Sequence, residues 1–313
     1  MMKISGFSFV RNGISLYYPI VESIQSALPL VDEFVVAVGK SDDGTREAIE
    51  AIGDPKIKIL DTQWDEKYFK KGIINAIQTD IAKEQCTGDW LLYLQADEVL
   101  HENDLPVIQA RCEALLDHPE VVEGLLFKYR HFWGDYDHYH ISHGWYPHEI
   151  RIIRNRPDIH SYESAQSFRA FEYYDNPRQP EGTRKLKVAA VDAWIYHYGW
   201  VRPPHLMQSK SRALSGLHWG LGRAKDFYDK APQEFDYGPL QRLGRFKGSH
   251  PKVMEKRIRS MDWKEKLQYS GTPNPLRKKH KHETLRYRLT TLVERMLNRP
   301  VGQFKNYILL RDV

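Results

Sequence analysis

The first hundred residues alternate short apolar segments with segments whose apolar side chains recur at helical spacing. Four segments rich in β-branched and aromatic residues predict buried strands: 3–10, 33–38, 57–61 and 90–94. Three segments with a one-sided apolar pattern predict the helices between them: 18–28, 44–52 and 72–84. This alternation predicts an α/β fold, with a mainly parallel sheet and helices on both faces. In such sheets, ligands bind at the carboxyl ends of the strands.

The second half of the chain is less regular. Strands are predicted at 124–129, 149–153 and 186–191. Segment 131–146 is packed with His, Tyr, Trp and Asp and is typical of a binding surface or loop. Segment 172–184 is rich in Pro, Asp, Asn and Arg and is typical of a loop that leaves the main fold. From Pro203 onward the pattern is helical with proline breaks. We therefore expect two regions, residues 1–205 with the parallel sheet and residues 206–313 as a mostly helical C-terminal extension.

The charge of the chain is unevenly placed. Residues 241–313 contain 19 Lys and Arg and 6 Asp and Glu, a net of +13, within a chain of net charge +5. Such a basic region suggests an anionic partner, which is a phospholipid surface, a phosphorylated lipid carrier or an acidic polymer. A solvated basic helical face is the alternative. The basic run 277–282 matches no base-reading motif, so no nucleic-acid partner is expected.

Composition and terminal sequence bear on the compartment. The chain is 41% hydrophobic and 28% charged, which excludes a mostly disordered protein. Its two cysteines, Cys86 and Cys112, cannot form a disulfide framework and point to a reducing compartment. The N-terminal segment lacks the apolar core and cleavage site of a secretory signal, and no apolar run reaches the ~18 residues of a spanning helix. The expected location is the cytoplasm, with peripheral contact at the inner face of the membrane left open.

Acidic residues directly follow the apolar strand at 90–94. The sequence there is Gln95-Ala96-Asp97-Glu98, at the end of a strand that faces the ligand crevice. A hard divalent cation such as Mg²⁺ takes one or two carboxylates together with phosphate oxygens, and Asp97 fits that role. The alternative is a cap for the helix that begins near Asn103.

Two more loops end at the same predicted edge of the sheet. Segment Ser41–Thr45 follows the second strand and opens a helix, and Asp43 can accept hydrogen bonds from a nucleotide base or ribose. An ordinary capped helix start is the alternative for this loop. Asp61 ends the third strand.

The order and spacing of three segments resemble the N-terminal half of family-two glycosyltransferases with the GT-A fold: Val10–Gly13, Ser41–Thr45 and Leu94–Glu98. The usual marks of that family are a Ser-x-Asp-Gly-Thr loop and an Asp-x-Asp motif after an apolar strand. Segment 149–155 resembles the acceptor-side strand of bacterial members, and 197–200 resembles a late His segment that adds a metal contact. The resemblance covers roughly residues 1–205. Two positions depart from the pattern, Val38-Gly39 where an acidic residue is common and Gln95 where the motif has its first Asp.

The resemblance implies an inverting hexosyltransferase that moves a sugar from a nucleoside diphosphate to an acceptor hydroxyl in cell-envelope or surface glycan synthesis. It implies a UDP- or GDP-sugar donor, a glycan or lipid-linked acceptor, and Mn²⁺ or Mg²⁺ as the cofactor. The metal would be held by Asp97 and His197; a packed histidine between two tyrosines is the alternative for His197. Residues implied at the nucleotide sugar are Arg11, Asp43, Asp61, Gln95, Asp97 and Arg202.

The acceptor hydroxyl must lose a proton, which requires a positioned carboxylate. The candidates are Glu163 and Glu149. Glu163 is favoured because an acidic residue shortly after a His commonly lies at the acceptor in this family. A surface ion pair with a nearby arginine is the alternative for either glutamate.

Two other functions compete with sugar transfer. A nucleotidyltransferase would need a Gly-rich, Lys- or Arg-bearing loop after the first strand, and segment 11–15 is too short and Gly-poor to wrap a triphosphate. A non-catalytic module would use the basic C-terminal region to hold an anionic partner.

Overall fold

The chain folds around one mixed sheet, seen in a computed structural model that describes residues 1–118, 120–297, 299, 301–311 and 313. The sheet order is β3-β2-β1-β4-β8-β6-β11-β10-β9, and further short strands pair at its margins. The strands are β1 Ile4–Val10, β2 Glu33–Gly39, β3 Ile57–Thr62, β4 Trp90–Tyr93, β5 Glu98–Leu100, β6 Gly124–Trp133, β7 His138–Tyr139, β8 His148–Arg154, β9 Ile159–Tyr162, β10 Ser167–Phe171, β11 Thr183–Trp200, β12 Gly244–Arg245 and β13 Tyr307–Leu310. The helices are α1 Ile20–Ala27, α2 Thr45–Glu50, α3 Ile73–Lys83, α4 Leu105–Ala114, α5 Pro204–Trp219, α6 Leu221–Tyr228, α7 Glu255–Arg259 and α8 Leu285–Leu297.

The first four strands pair in parallel, as the alternation predicts. Strand β1 lies between β2 and β4, and β2 pairs with β3 on its other side. Their carboxyl ends therefore meet at one edge of the sheet, where loops 10–15, 40–45 and 94–98 lie side by side. The predicted α/β architecture is confirmed.

The two faces of the sheet are covered by different helices. Alternate residues of β1 point to opposite faces, so that Ile4 and Val10 join one core and Phe7 joins the other. Helices α1 and α4 contribute to the first core through residues such as Ile24 and Ile108. Helix α3 packs on the second face, together with β9 and β10. Helices on both faces were predicted from the same alternation.

Beyond β4 the sheet becomes mixed. Strand β8 is antiparallel to both β4 and β6, whereas β6 and β11 are parallel. Strand β11 is 18 residues long, far longer than the predicted segment 186–191. Its tip pairs with the short strand β5, which sets His197 opposite Glu98. Strands β5, β9 and β10 were not predicted, because each has five residues or fewer and includes polar residues.

The C-terminal residues share a core with the sheet. A third apolar cluster combines Phe132 and Tyr198 of the sheet with Met207, Met254 and Trp263 from later in the chain. The helices expected after Pro203 are present, but this region also supplies strands β12 and β13, which pair with β7 and β11. Helix α5 begins at Pro204, next to the proposed division at residue 205. Across the described ranges, no helix combines the length and apolar character needed to cross a bilayer.

Removal of one large side chain from the shared core should destabilise the whole chain. Trp263 is buried, and its indole Nε1 donates to the carbonyl oxygen of Gly134 at 2.9 Å. We expect Trp263→Ala to lower the free energy of unfolding by roughly 3–5 kcal/mol in one cooperative transition, measured by urea denaturation. The exposed Trp219 supplies the control variant, Trp219→Ala. Equal losses in the two variants would contradict the shared core.

Candidate active site

Asp97 is buried at the edge where the parallel strands end. The segment that carries it leaves β4, turns, and enters β5. The backbone N–H of Tyr198 donates to the carbonyl oxygen of Asp97 at 2.8 Å, which ties this turn to the end of β11. The sequence position of Asp97, directly after an apolar strand, thus corresponds to a fixed position at the tips of β1 and β4.

Lys210 of α5 neutralises the Asp97 carboxylate. Its Nζ donates to Asp97 Oδ2 at 2.9 Å and to the carbonyl oxygen of Gly199 at 2.7 Å, and both charged side chains are buried. Burial alone would raise the pKa of Asp97, but the charges of Lys210 and Arg202 hold that pKa well below its usual range. Burial lowers the pKa of Lys210 to about 8. At neutral pH the pair is therefore a carboxylate and an ammonium.

His197 faces the other oxygen of the same carboxylate. Its Nε2 lies 3.7 Å from Asp97 Oδ1. Burial lowers the pKa of His197 to about 4, so the ring is neutral at neutral pH. The protonated nitrogen of a neutral imidazole is decided by its hydrogen bonds.

His131 decides the tautomer of His197. The Nε2 of His131 lies 2.8 Å from the carbonyl oxygen of Tyr146, which only accepts, so this nitrogen carries the hydrogen. Burial lowers the pKa of His131 to about 3, and its Nδ1 is therefore an acceptor. The Nδ1 of His197, 2.9 Å away, must donate to it. His197 Nε2 is left with a lone pair directed toward Asp97.

This arrangement fits a divalent cation. A carboxylate oxygen, which is a ligand type that Mg²⁺ and Mn²⁺ prefer, converges with the lone pair of an imidazole, which is a common ligand of transition-metal ions. Gly199 keeps the space beside them open, because a Cβ there would lie 2.5 Å from His197 Nε2 and 2.8 Å from Asp97 Oδ2. Within the described part of the chain, no three or more His, Cys, Asp or Glu side chains converge as a metal site. The chain can thus supply two ligands, and phosphate oxygens would supply others.

Glu98 has a structural role distinct from that of its neighbour Asp97. Arg151 donates to both Glu98 oxygens, at 2.7 and 2.8 Å, and both side chains are fully buried. The hydroxyl of Tyr129 donates to the same carboxylate at 2.7 Å. Adjacent residues point in opposite directions here, so Glu98 joins β5 to β8 beneath the site while Asp97 faces Lys210.

Gln95 connects this edge to the turn that carries Glu163. Its Nε2 donates to the carbonyl oxygen of Ala165 at 2.8 Å. The turn between β9 and β10 is tight, with φ of 60° at Glu163 and 64° at Ala165. The Glu163 carboxylate is part-exposed and lies 3.6 Å from Arg178 Nη2. The Gln95 side chain therefore anchors the backbone of this turn two residues after Glu163, whose side chain reaches solvent.

Glu149 is placed differently. It is buried in β8, and its Oε1 accepts from Ser167 Oγ at 2.7 Å and from the Ile150 N–H at 2.9 Å. Burial raises the pKa of Glu149 above its ordinary value, although the charge of Arg151 opposes the shift. The two predicted bases thus occupy unlike environments, one sealed in the sheet and one at its surface.

The loop around Asp43 is internally bonded. Asp43 accepts from the Ser15 N–H at 2.8 Å and from the Thr45 N–H at 3.1 Å, and Thr45 Oγ1 accepts from the Gly13 N–H at 2.8 Å. These bonds lock loop 12–15 against the start of α2. Asp43 therefore has the helix-start role named as its alternative, and its contact with a nucleotide stays a prediction.

Arg11 and Asp61 lie on either side of this loop. Arg11 Nε donates to the carbonyl oxygen of Lys40 at 3.2 Å, and its guanidinium lies 5.6 Å from the ring centre of Trp64. Asp61 is exposed and pairs with Arg46 Nε at 2.9 Å. Both remain candidates for nucleotide contact at the strand tips.

Arg202 is fully buried beside Lys210. Its terminal nitrogens donate to the carbonyl oxygens of Leu16 and Gly199, at 2.5 and 3.1 Å. Its Nε is buried without a hydrogen-bond partner among the described residues. Arg202 therefore links loop 12–17 to the end of β11 and adds positive charge near Asp97.

Three residues of this site were not singled out from the sequence: Lys210, His131 and Arg151. Lys210 lies in a helical stretch without a motif, and His131 and Arg151 lie inside strands among other polar residues. Each acquires its role from a partner at least 53 positions away in sequence. No local signal identifies them.

The model of glycosyl transferase family 2 matches residues 14–174, slightly more than half of the chain. The chain belongs to glycosyl transferase family 2. The family resemblance seen in the loops is thereby confirmed, and the sheet with helices on both faces is the GT-A fold of this family. A comparison with curated proteins found no match to this family member.

Solved structures similar to this family-two member were also found. They include S. aureus TarS 1–349 in complex with UDP, at 17% identity and a TM-score of 0.36, covering 69% of this chain and 65% of that one. Glucosyl-3-phosphoglycerate synthase from Mycobacterium tuberculosis, with Mn²⁺, UDP and phosphoglyceric acid, has 21% identity, a TM-score of 0.27 and coverage of 42% and 43%. Mannosyltransferase PcManGT from Pyrobaculum calidifontis, with GDP-Man and Mn²⁺, has 20% identity, a TM-score of 0.30 and coverage of 40% and 34%. The chain thus spans less than two thirds of the TarS chain that it matches.

The Glu98–Arg151 pair should be a major source of stability. Loss of one partner leaves a buried charge uncompensated, which costs roughly 3–5 kcal/mol. We expect Arg151→Met to lower the free energy of unfolding by that amount in urea denaturation. Arg212 forms an exposed pair with Asp229, and Arg212→Met should leave stability near that of the wild type. Similar losses of unfolding free energy in both variants would show that the buried Glu98–Arg151 pair stabilises the chain no more than an exposed pair does.

Proposed function

We propose that this family-two member transfers a hexose from a UDP- or GDP-sugar to an acceptor hydroxyl, with inversion and with a divalent metal, in cell-envelope or surface glycan synthesis. The observation that carries the proposal is the convergence of Asp97, His197 and Lys210 at the tips of the parallel strands. Family membership supplies the reaction class, and the site supplies the residues.

Departure of a nucleoside diphosphate requires positive charge where negative charge develops. Asp97 and His197 would hold Mn²⁺ or Mg²⁺, which neutralises charge on the phosphate oxygens when bound. The chain itself contributes the Lys210 ammonium, fixed on Asp97 Oδ2, and the guanidinium of Arg202. Because these cations are buried, their positions need little rearrangement during the reaction.

The nucleotide would lie along the tips of β1, β2 and β3. Arg11 and Asp43 occupy the loops that follow β1 and β2, Asp61 lies near the end of β3, and Gln95 is close to Asp97 in the segment after β4. The locked loop 12–15 offers a preformed surface, so ordering on binding would cost little entropy. We assign the six residues implied by the family resemblance to this subsite.

An inverting transfer needs one carboxylate on the acceptor side. Glu163 is our preferred base, because its side chain is part-exposed on a turn anchored by Gln95. Glu149 is the second candidate. Its raised pKa would suit a base, but its oxygen already accepts bonds from Ser167 and Ile150.

We further propose a cytoplasmic location and a glycan or lipid-linked acceptor. Both cysteines, Cys86 and Cys112, are buried free thiols, as suits a reducing compartment. Residues 1–205 would form the catalytic domain and residues 206–313 a basic extension. Lys210 belongs to the extension, so the site would require both regions.

Replacement of Asp97 tests the metal-dependent site. We expect Asp97→Asn to reduce Mn²⁺-dependent affinity for UDP or GDP by about tenfold or more, because the variant lacks the ligand charge. Isothermal titration with Mn²⁺ and with EDTA measures this difference. Asp192 is exposed on β11, and Asp192→Asn is the control. An Asp97→Asn variant that keeps the Mn²⁺-dependent affinity for UDP or GDP would contradict the assignment of Asp97 to the site.

The two candidate bases can be separated by turnover. We expect Glu163→Gln to slow release of nucleoside diphosphate from its sugar donor by about 10²–10⁴-fold while leaving nucleotide affinity unchanged. In Glu149→Gln the amide oxygen can still accept the hydrogen bond from Ser167, so we expect this variant to slow turnover far less. The exposed Glu181 supplies a control, Glu181→Gln. The reverse order of effects would assign the base to Glu149.

A further inference from the structure

Helix α8 presents an apolar stripe to solvent. The exposed fractions are 67% for Leu285, 54% for Leu289, 54% for Leu292 and 79% for Met296. These positions recur at intervals of four and three and so lie on one side of the helix. Val293 and Leu297 widen the stripe, and no residue of α8 is buried. An apolar surface of this length on a helix marks an interaction site.

The opposite side of α8 is attached to loop 140–146. The His143 N–H donates to Thr291 Oγ1 at 2.8 Å, and His143 Nδ1 lies 2.9 Å from Glu294 Oε1. Gly144, with φ of 89°, approaches Tyr287 so closely that a Cβ would lie 2.5 Å from its ring. These contacts fix the rotation of the helix and direct the apolar stripe outward.

Exposed cations border the stripe. At about 100° per residue, Arg286 falls on one flank, and Arg288 and Arg295 fall on the other. The segment that leads into α8 adds exposed lysines at 278, 279 and 281. In the ranges that the structure describes, no carboxylate forms an ion pair with these six side chains. The one acidic residue of α8, Glu294, lies on the attached side.

We propose that α8 docks on an anionic phospholipid surface. The apolar stripe would enter the boundary between headgroups and acyl chains, and the flanking arginines and lysines would contact the phosphates. A second copy of the chain suits this face less well, because pairing two stripes would bring their arginine flanks together. Charge complementarity therefore selects the lipid.

The docking surface is connected to the active site. Loop 140–146 carries Tyr146, whose carbonyl oxygen accepts from His131, and His131 in turn fixes the tautomer of His197. A bilayer on α8 would thus lie one loop away from the proposed metal ligands. Delivery of a lipid-linked acceptor from the bilayer to the site rests on the proposed function. Binding of α8 to lipid does not depend on that function.

Vesicle sedimentation of the full chain tests the proposal. We expect the wild type to sediment with an equal mixture of phosphatidylcholine and phosphatidylglycerol, to remain in solution with phosphatidylcholine alone, and to be released by salt. Leu289→Asp with Met296→Asp should weaken binding by about tenfold or more. Arg288→Glu with Arg295→Glu should weaken it similarly. The matched control is Val107→Asp with Leu221→Asp, at positions 43% and 49% exposed on α4 and α6, which should bind as the wild type does.

Several outcomes would overturn the proposal. The first is a wild type that does not bind the mixed vesicles, and the second is a wild type that binds neutral vesicles equally well. The third is continued binding of mixed vesicles by the Leu289→Asp with Met296→Asp variant. A dimer in light scattering that Leu289→Asp with Met296→Asp dissociates, without vesicle binding, would assign the stripe to a second copy. Thermal unfolding and nucleotide titration verify that each variant is folded. The Asp97→Asn variant should bind vesicles normally, so failure of the transferase proposal and failure of lipid docking give different results.

Discussion

A buried carboxylate requires compensating charge, and the candidate site is organised around that requirement at Asp97. Lys210 supplies the charge from a position 113 residues later in the chain, and the same ammonium bonds to the backbone at Gly199. One ion pair thereby joins the tip of β4, the end of β11 and helix α5. This edge of the sheet and the C-terminal region consequently depend on each other, through the ion pair and through the core around Trp263.

The general form of the sheet could be predicted from sequence because its signals are local. An apolar strand followed by Asp97 indicates a carboxylate at a strand end, and the alternation of strands and helices indicates where that end lies. The family resemblance added His197, whose place beside Asp97 depends on the register between β5 and β11. The short strands lacked such signals, since β5 has only three residues.

The remaining parts of the site depend on contacts between distant residues. Nothing in the dipeptide Asp97-Glu98 shows that one carboxylate pairs with Lys210 and the other with Arg151. Nor does the sequence show that His131 orders the tautomer of His197, because that relation comes from two strands meeting in register. Residue type and spacing identify candidate residues, whereas their burial and their hydrogen-bond partners determine the role of each.

The turn between β9 and β10 has a mechanical consequence. Two non-glycine residues, Glu163 and Ala165, adopt left-handed backbone angles within three positions. Each costs of order 1–3 kcal/mol, and the surrounding contacts, among them the bond from Gln95 to Ala165, must hold them there. A turn held in this way keeps Glu163 in a narrow range of positions as long as the surrounding contacts persist. Loss of the Gln95 contact would release the backbone of this turn without requiring the strands of the parallel sheet to separate.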